Sequence, residues 1–254
     1  MSDCVTLKLY NGDCLKVMQD IIEDNSIDAV ITSPPYNFDM DYGTYDDDVQ
    51  WEEYFNWLLK VFKECYRVLK DDGRFIINIQ PSFSNYVPTH HIISQQATKV
   101  GFKWKGEIIW EKNHYSCNVT AWGSWKSPSS PYLKYTHEFI EVFVKKDFKH
   151  YGRKEDIDIT DEEFKKFVNA KWVMAPEMKM NFYDHPAMFP EELPYRCLKL
   201  FTYKNDTILD PFMGVGTTGV VCKREDRNFI GIELDKKYFD KAEERIKYAD
   251  YYLV

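Results

Sequence analysis

The residues best suited to do chemistry stand together at one point of the chain, Thr32-Ser33-Pro34-Pro35-Tyr36-Asn37, directly after the apolar run Asp28-Ala29-Val30-Ile31. Two successive prolines lack N–H groups and fix their own φ, so they cannot continue a sheet ladder, and the chain must turn out at the strand's carboxyl end. That edge is where open α/β sheets bind ligands. The turn is rigid and displays carbonyl oxygens that no local N–H satisfies, with a hydroxyl on one side and an aromatic ring on the other. Those are the parts needed to hold an amino group on a planar base.

A second string, Asp210-Pro211-Phe212-Met213-Gly214-Val215-Gly216-Thr217-Thr218-Gly219, follows the apolar run Thr207-Ile208-Leu209. Glycines let the backbone approach a ligand closely, and the helix that follows offers free N–H groups to an anion. Gly214, Gly216 and Gly219 satisfy G-x-G-x-x-G, and Glu233 ends the next strand about 20 residues on, as in a dinucleotide site. Nicotinamide dinucleotides and S-adenosylmethionine would both use such a carboxylate to hold ribose hydroxyls, so the glycines leave the two open.

Together the two strings resemble the amino-methylating DNA methyltransferases. TSPPYN matches the serine version of that family's (Asp/Asn/Ser)-Pro-Pro-Tyr signature, and the serine form is associated with cytosine N4 more often than with adenine N6. Asp-Pro-Phe-x-Gly-x-Gly-Thr-Thr is similar to the same family's cofactor motif. The resemblance implies a Rossmann-like S-adenosylmethionine methyltransferase fold, with Ser33, Pro34, Pro35 and Tyr36 catalytic. Asp210, Phe212, Gly214, Gly216, Thr217, Thr218 and Glu233 would hold the cofactor. Asn11-Gly12-Asp13-Cys14 resembles the adenine-contacting strand end, so Asp13 and Cys14 join the cofactor set. His185-Pro186-Ala187-Met188-Phe189-Pro190-Glu191 resembles the segment that covers the cofactor, which adds Pro186 and Phe189. Trp122 to Pro128 and Lys134 to Glu138 resemble the approach to the base pocket. The turn precedes the insertion and the cofactor loop comes last, as in the β arrangement of the family, where the insertion reads the target sequence. The implied partner is double-stranded DNA with the target base flipped out, and a cognate restriction endonuclease and a homodimer are candidate further partners.

The elements that must position these residues alternate short β-branched runs with longer segments of helical period, the pattern of an α/β fold with a mostly parallel sheet and helices on both faces. Strands are expected at 7–11, 29–32, 74–79, 107–111, 138–144, 207–210 and 229–233. Helices are expected at 15–22, 51–69, 86–100, 191–201, 218–223 and 236–248, with Asp72-Gly73 ending the second helix and opening the next strand. Residues 114–132 read as a long loop that clamps DNA or fills the gap left by the flipped base. Residues 146–181 read as a charged insertion with a short helix at 161–168. The methyltransferase domain then comprises 1–145 and 182–254, with 146–181 the target-recognition insertion.

With 254 residues and a formal charge of -8, the chain can bury one large core. The negative balance counts against nucleic acid, but Lys99, Lys103 and Lys105, Lys145, Lys146, Lys149, Arg153 and Lys154, and Lys165, Lys166 and Lys171 are grouped cations suited to phosphates. Six scattered cysteines without C-x-x-C spacing argue against zinc and disulfides, so no metal is expected. No leader or membrane span is visible, and the expected location is the cytoplasm. Methylation at cytosine C5 is disfavoured, because no cysteine follows a proline. The remaining alternatives are an adenine-N6 enzyme, an RNA or protein amino methyltransferase, a nicotinamide oxidoreductase and a catalytically silent DNA-binding protein.

Overall fold

The computed structural model describes residues 5–36, 50–81, 87–112, 123–178, 183 and 188–250. Its framework is an eight-stranded sheet formed by β1 (Leu7–Asn11), β2 (Ile27–Thr32), β3 (Leu69–Ile79), β4 (Lys103–Lys112), β5 (His137–Val144), β6 (Lys171–Met174), β7 (Thr207–Asp210) and β8 (Asn228–Glu233). The order across the sheet is β1-β8-β7-β2-β3-β5-β4-β6. Strand β5 runs antiparallel to both its neighbours, and every other adjacent pair is parallel. The chain leaves β2 toward β3 on one side and β7 toward β8 on the other. The β2–β7 boundary is therefore the topological switch point at which such sheets bind ligands.

Helices α1 (Cys14–Ile21), α2 (Trp51–Val68) and α3 (Thr89–Val100) cover one face. On α2, Tyr54, Leu58, Val61, Phe62, Cys65 and Val68 recur at helical spacing and are all buried, a stripe that places one side of the helix on the sheet. The opposite face carries α4 (Asp161–Phe167), α5 (Glu192–Phe201), α6 (Thr217–Arg224) and α7 (Lys236–Lys247), packed around Ile31, Ile76, Ile208 and Phe229. Strand β2 lies between the two cores and is buried along its whole length, as a central parallel strand must be.

The expected strands at 7–11 and 207–210 coincide with β1 and β7. The structure departs from the sequence reading at Asp72-Gly73. Helix α2 stops at Val68, and the chain is already in β3 from Leu69, because Leu69 pairs with Ile27 and the amides of Lys146 and Asp147 donate to the Asp71 carbonyl. Tertiary pairing overrides a local turn signal there. Within 146–181, residues 171–174 form β6 and pair with β4, so this stretch adds a strand to the main sheet. Among the described residues, no helix is long and apolar enough to cross a membrane.

Candidate active site

The carboxyl ends of the parallel strands meet at one edge, and because β5 is reversed its first residues reach that edge too. A cavity of about 300 Å3 opens there. It receives Ser33, Pro35 and Tyr36 from the turn after β2, Gly12, Asp13 and Cys14 from the end of β1, and Asp210 to Val215 with Thr217 from the loop after β7. Glu233 from β8 and Phe189 from the segment before α5 complete the set expected from sequence. Gly216 and Thr218 are buried behind this lining, and Pro34 is buried within the turn. Pro186 and Asn37 lie outside the described residues.

On one side of the cavity the polar groups are acids held by backbone. Glu233 accepts the Gly214 amide at 2.9 Å and the Asp235 amide at 2.8 Å. Burial pushes its carboxyl up to about 7, against the lowering effect of those amides. Gly216 begins α6 with φ at 81°, a left-handed conformation that a β-carbon disfavours, and a side chain would also crowd Ala242. Asp13 caps α1 by accepting the Lys16 amide at 2.9 Å. Asp210 accepts the Thr32 hydroxyl at 2.7 Å, the Thr218 hydroxyl at 2.9 Å and the Phe212 amide at 3.1 Å. Its carboxylate therefore ties β2, β7 and α6 together, and burial raises its pKa to about 6.

On the other side the polar groups are side chains held by one another. The Ser33 hydroxyl donates to Tyr36 Oη at 3.1 Å, and Tyr36 Oη donates to Glu138 Oε2 at 3.4 Å. Asn78 Nδ2 donates to the same Glu138 oxygen at 2.6 Å, while Lys112 Nζ meets Glu138 Oε1 at 2.6 Å. The Tyr54 hydroxyl donates to the Pro35 carbonyl at 2.7 Å and braces the turn against α2. Asn78, Lys112 and Glu138 all line the cavity.

Sequence reading passed over Trp57, Asn78, Trp110, Lys112 and Tyr238 as lining residues. One signal was present for Asn78, a carboxamide near the carboxyl end of the otherwise apolar run Phe75-Ile76-Ile77-Asn78-Ile79. At the start of β5, Glu138 rather than His137 faces the cavity, since neighbours on a strand point to opposite faces. His137 instead packs edge-on against Phe139 and Tyr135. Several of the grouped cations are engaged within the protein. Lys145 is buried against the Leu69 carbonyl and Asn25, Lys146 pairs with Asp71, Arg153 with Asp156, and Lys171 with Glu111.

Among the described residues, two clusters bring metal-ligating atoms close together away from the cavity, Asp28–His150–Asp206 and His90–Glu107–Glu141. In both, the imidazole is hydrogen bonded to carboxylates. Burial alone would lower the pKa of His90, but Glu141 and then Glu107 outweigh it and the net shift is upward.

An N6/N4 methyltransferase family model described as DNA methylase matches residues 27–244. The chain belongs to this DNA methylase family. The methylase is 38% identical over 175 residues to the type II methyltransferase M.MjaVI of Methanocaldococcus jannaschii, covering 68% of this chain and 88% of that one. It is 30% identical over 246 residues to M.BglII of Bacillus subtilis, covering 92% and 67%. Its fold is similar to that of TTHA0409 from Thermus thermophilus, a putative DNA modification methylase solved in complex with S-adenosyl-L-methionine. That match has a TM-score of 0.76 and 27% identity, and covers 96% of this chain and 94% of the other. The fold also matches the cytosine-N4-specific PvuII DNA methyltransferase, with a TM-score of 0.72 at 22% identity over 95% and 86% of the two chains.

Proposed function

We propose that this methylase is a type II DNA methyltransferase that transfers a methyl group from S-adenosylmethionine to the exocyclic amino nitrogen of a flipped base, with cytosine N4 the target atom. The observation that carries the reading is that the Ser33–Tyr36 turn and the acid-lined loop ending at Glu233 open into one cavity. The residues fit the cofactor. Lys112 is the one cation among the described lining residues, beside Asp13, Glu138, Asp210, Glu233 and Asp235, so a positively charged ligand is favoured. Each Glu233 oxygen accepts one backbone amide and retains a lone pair for a ribose hydroxyl.

When bound, the cofactor supplies a methyl group already activated by its sulfonium. The protein has to position the nucleophile and direct its lone pair. An exocyclic nitrogen is a poor nucleophile while that pair is delocalised into the ring. The Ser33 side chain and the Pro34 carbonyl accept its hydrogens, which allows it to pyramidalise toward the methyl group, and Tyr36 stacks on the ring. A serine at position 33, where family members that act on adenine N6 tend to carry aspartate, supports cytosine. Residues 146–181 serve as the target-recognition insertion. The loop at 114–132, of which residues 123–132 are described, exposes Trp125 and Tyr132 and contacts the DNA.

The test is to incubate the protein with labelled S-adenosylmethionine and unmethylated genomic DNA, then identify the labelled nucleoside by mass. Label in N4-methylcytosine is the expected result. Label in N6-methyladenine would overturn the target atom and leave the rest standing, and absence of label from every nucleoside would overturn DNA as the substrate.

A further inference from the structure

The methylated nitrogen must lose a proton, and neither a serine hydroxyl nor a prolyl carbonyl is a base strong enough to keep it. Glu138 is an acceptor of the right kind in the same cavity. It is buried, at 4% exposure, and a carboxylate in such a place is expensive unless paired. Lys112 meets one of its oxygens and Asn78 the other. A buried ion pair is weak support for stability, and the β4–β5 pairing that these residues flank is already a long ladder. The pair calls for a role other than holding the strands.

We infer that Glu138 is the proton acceptor of the methyl transfer, reached from the base through Ser33 and Tyr36. The geometry is a continuous chain in which Ser33 Oγ donates to Tyr36 Oη at 3.1 Å and Tyr36 Oη donates to Glu138 Oε2 at 3.4 Å. As the nitrogen–methyl bond forms and the methyl–sulfur bond breaks, positive charge passes from sulfur to nitrogen. The nitrogen then gives its proton to Ser33 Oγ, the serine's own proton moves to Tyr36 Oη, and the phenol's proton moves to Glu138 Oε2. Sulfur ends as a neutral thioether, the amine is neutral, and Glu138 is a neutral acid. Its proton returns to solvent through the cavity after product leaves. Each oxygen in the chain gives one proton and takes one, so serine and tyrosine are unchanged.

Asn78 is a positioning residue in this scheme. Its Oδ1 is buried without a hydrogen-bond partner among the described residues, and the opposite amide orientation would set that oxygen against Glu138 Oε2, acceptor against acceptor. Nδ2 is thus fixed on the carboxylate, and it is also 3.5 Å from Tyr36 Oη, which holds the second and third members of the chain together. Among the described residues, the charged and titratable groups bonded to Glu138 are Lys112 from β4 and Tyr36 from the turn after β2. Lys112 in turn lies over the Trp110 ring, 5.3 Å from its centroid.

This inference rests on the amino-transfer reading, and the test separates the two. Single-turnover methylation rates are measured for the wild type, Glu138→Gln, Tyr36→Phe and the double variant, with S-adenosylmethionine affinity measured alongside as a check on folding. Tyr36→Phe keeps the ring that stacks and removes only the relay oxygen. Each single variant is expected to lose about 100-fold, in the range of general acid–base catalysis, with cofactor affinity unchanged. The double variant should lose no more than either alone, because members of one unit are not additive. Multiplying losses in the double variant, or a Glu138→Gln rate close to that of the wild type, would overturn the relay while the wild type still methylates DNA. A wild type that transfers no methyl group to any base would overturn the amino-transfer reading and the relay with it.

Discussion

Glu233 and Glu138 are buried carboxylates in the walls of one cavity, and their partners differ in kind. Glu233 is held by the amides of Gly214 and Asp235, with no cation among its hydrogen-bond partners in the described residues. Glu138 is held by the Lys112 ammonium and the Asn78 carboxamide. Backbone amides do not move or titrate, so the first arrangement is a fixed receptor whose spare capacity is set by burial. Side chains in a hydrogen-bonded row can exchange protons, so the second suits a step in which a proton must leave. On the function and relay proposed above, one sheet edge separates recognition of a positively charged, hydroxyl-bearing cofactor from handling of the proton that transfer releases.

The difference predicts where damage falls. Glu233→Ala should weaken S-adenosylmethionine binding by about 2–3 kcal/mol, roughly 30- to 150-fold, the scale of hydrogen bonds to a charged group. Glu138→Gln should leave that affinity within about 2-fold. Calorimetric titration of both variants checks this, and equal weakening by the two would break the comparison.

A smaller effect follows from pH. Burial raises the Glu233 carboxyl to about 7, and ribose hydroxyls favour the ionised form, so cofactor affinity should rise with pH from 6 and level off above 7, by at most about tenfold per unit. Glu233→Gln should flatten that curve. Stability of the unliganded protein should run the other way. Carboxyls whose folded pKa lies above the unfolded value bind protons more tightly when folded. Their contribution is complete below about pH 4 and is lost as pH rises through the folded values, about 6 for Asp210 and about 7 for Glu233. His90 and His150, both shifted upward with carboxylate partners, act with the same sign. The melting temperature should therefore fall between pH 5 and pH 8, and a rise over that range would contradict the assignment.

How much of this was legible before folding depends on the range of the interaction. Ser33 to Tyr36 and Gly214 to Glu233 were readable because proline and glycine impose their geometry locally, within a few residues. Strands β1 and β7 were readable because a short alternation in Leu7-Lys8-Leu9-Tyr10 and a short apolar run in Ile208-Leu209, each with clear ends, leave little choice. Asn78, Lys112 and Glu138 come from three strands, and what joins them is the reversal of β5, a fact of topology with no local signature. Strand β6 escaped notice for a related reason. Four residues with Trp172 and Met174 buried and Lys171 and Val173 exposed alternate too briefly to stand out in a charged stretch, and only the free edge of β4 makes them a strand.

Asp210 shows that a residue of the cofactor string can also hold the framework together. It opens the cofactor string, yet each oxygen accepts a threonine hydroxyl, from Thr32 on one side and Thr218 on the other. That makes it a staple across the switch point between β7 and β2, and Thr218 is completely buried beneath it. Thr218→Val keeps the shape and removes one donor, so it should cost about 1 kcal/mol of stability and raise the Asp210 pKa further. Cofactor affinity at pH 8 should stay within about 2-fold, because Thr218 lies behind the lining and Glu233 keeps both its amides. Denaturant unfolding and cofactor titration on the same variant check the two halves. A large loss of affinity with unchanged stability would overturn the framework role given to the Thr218 contact.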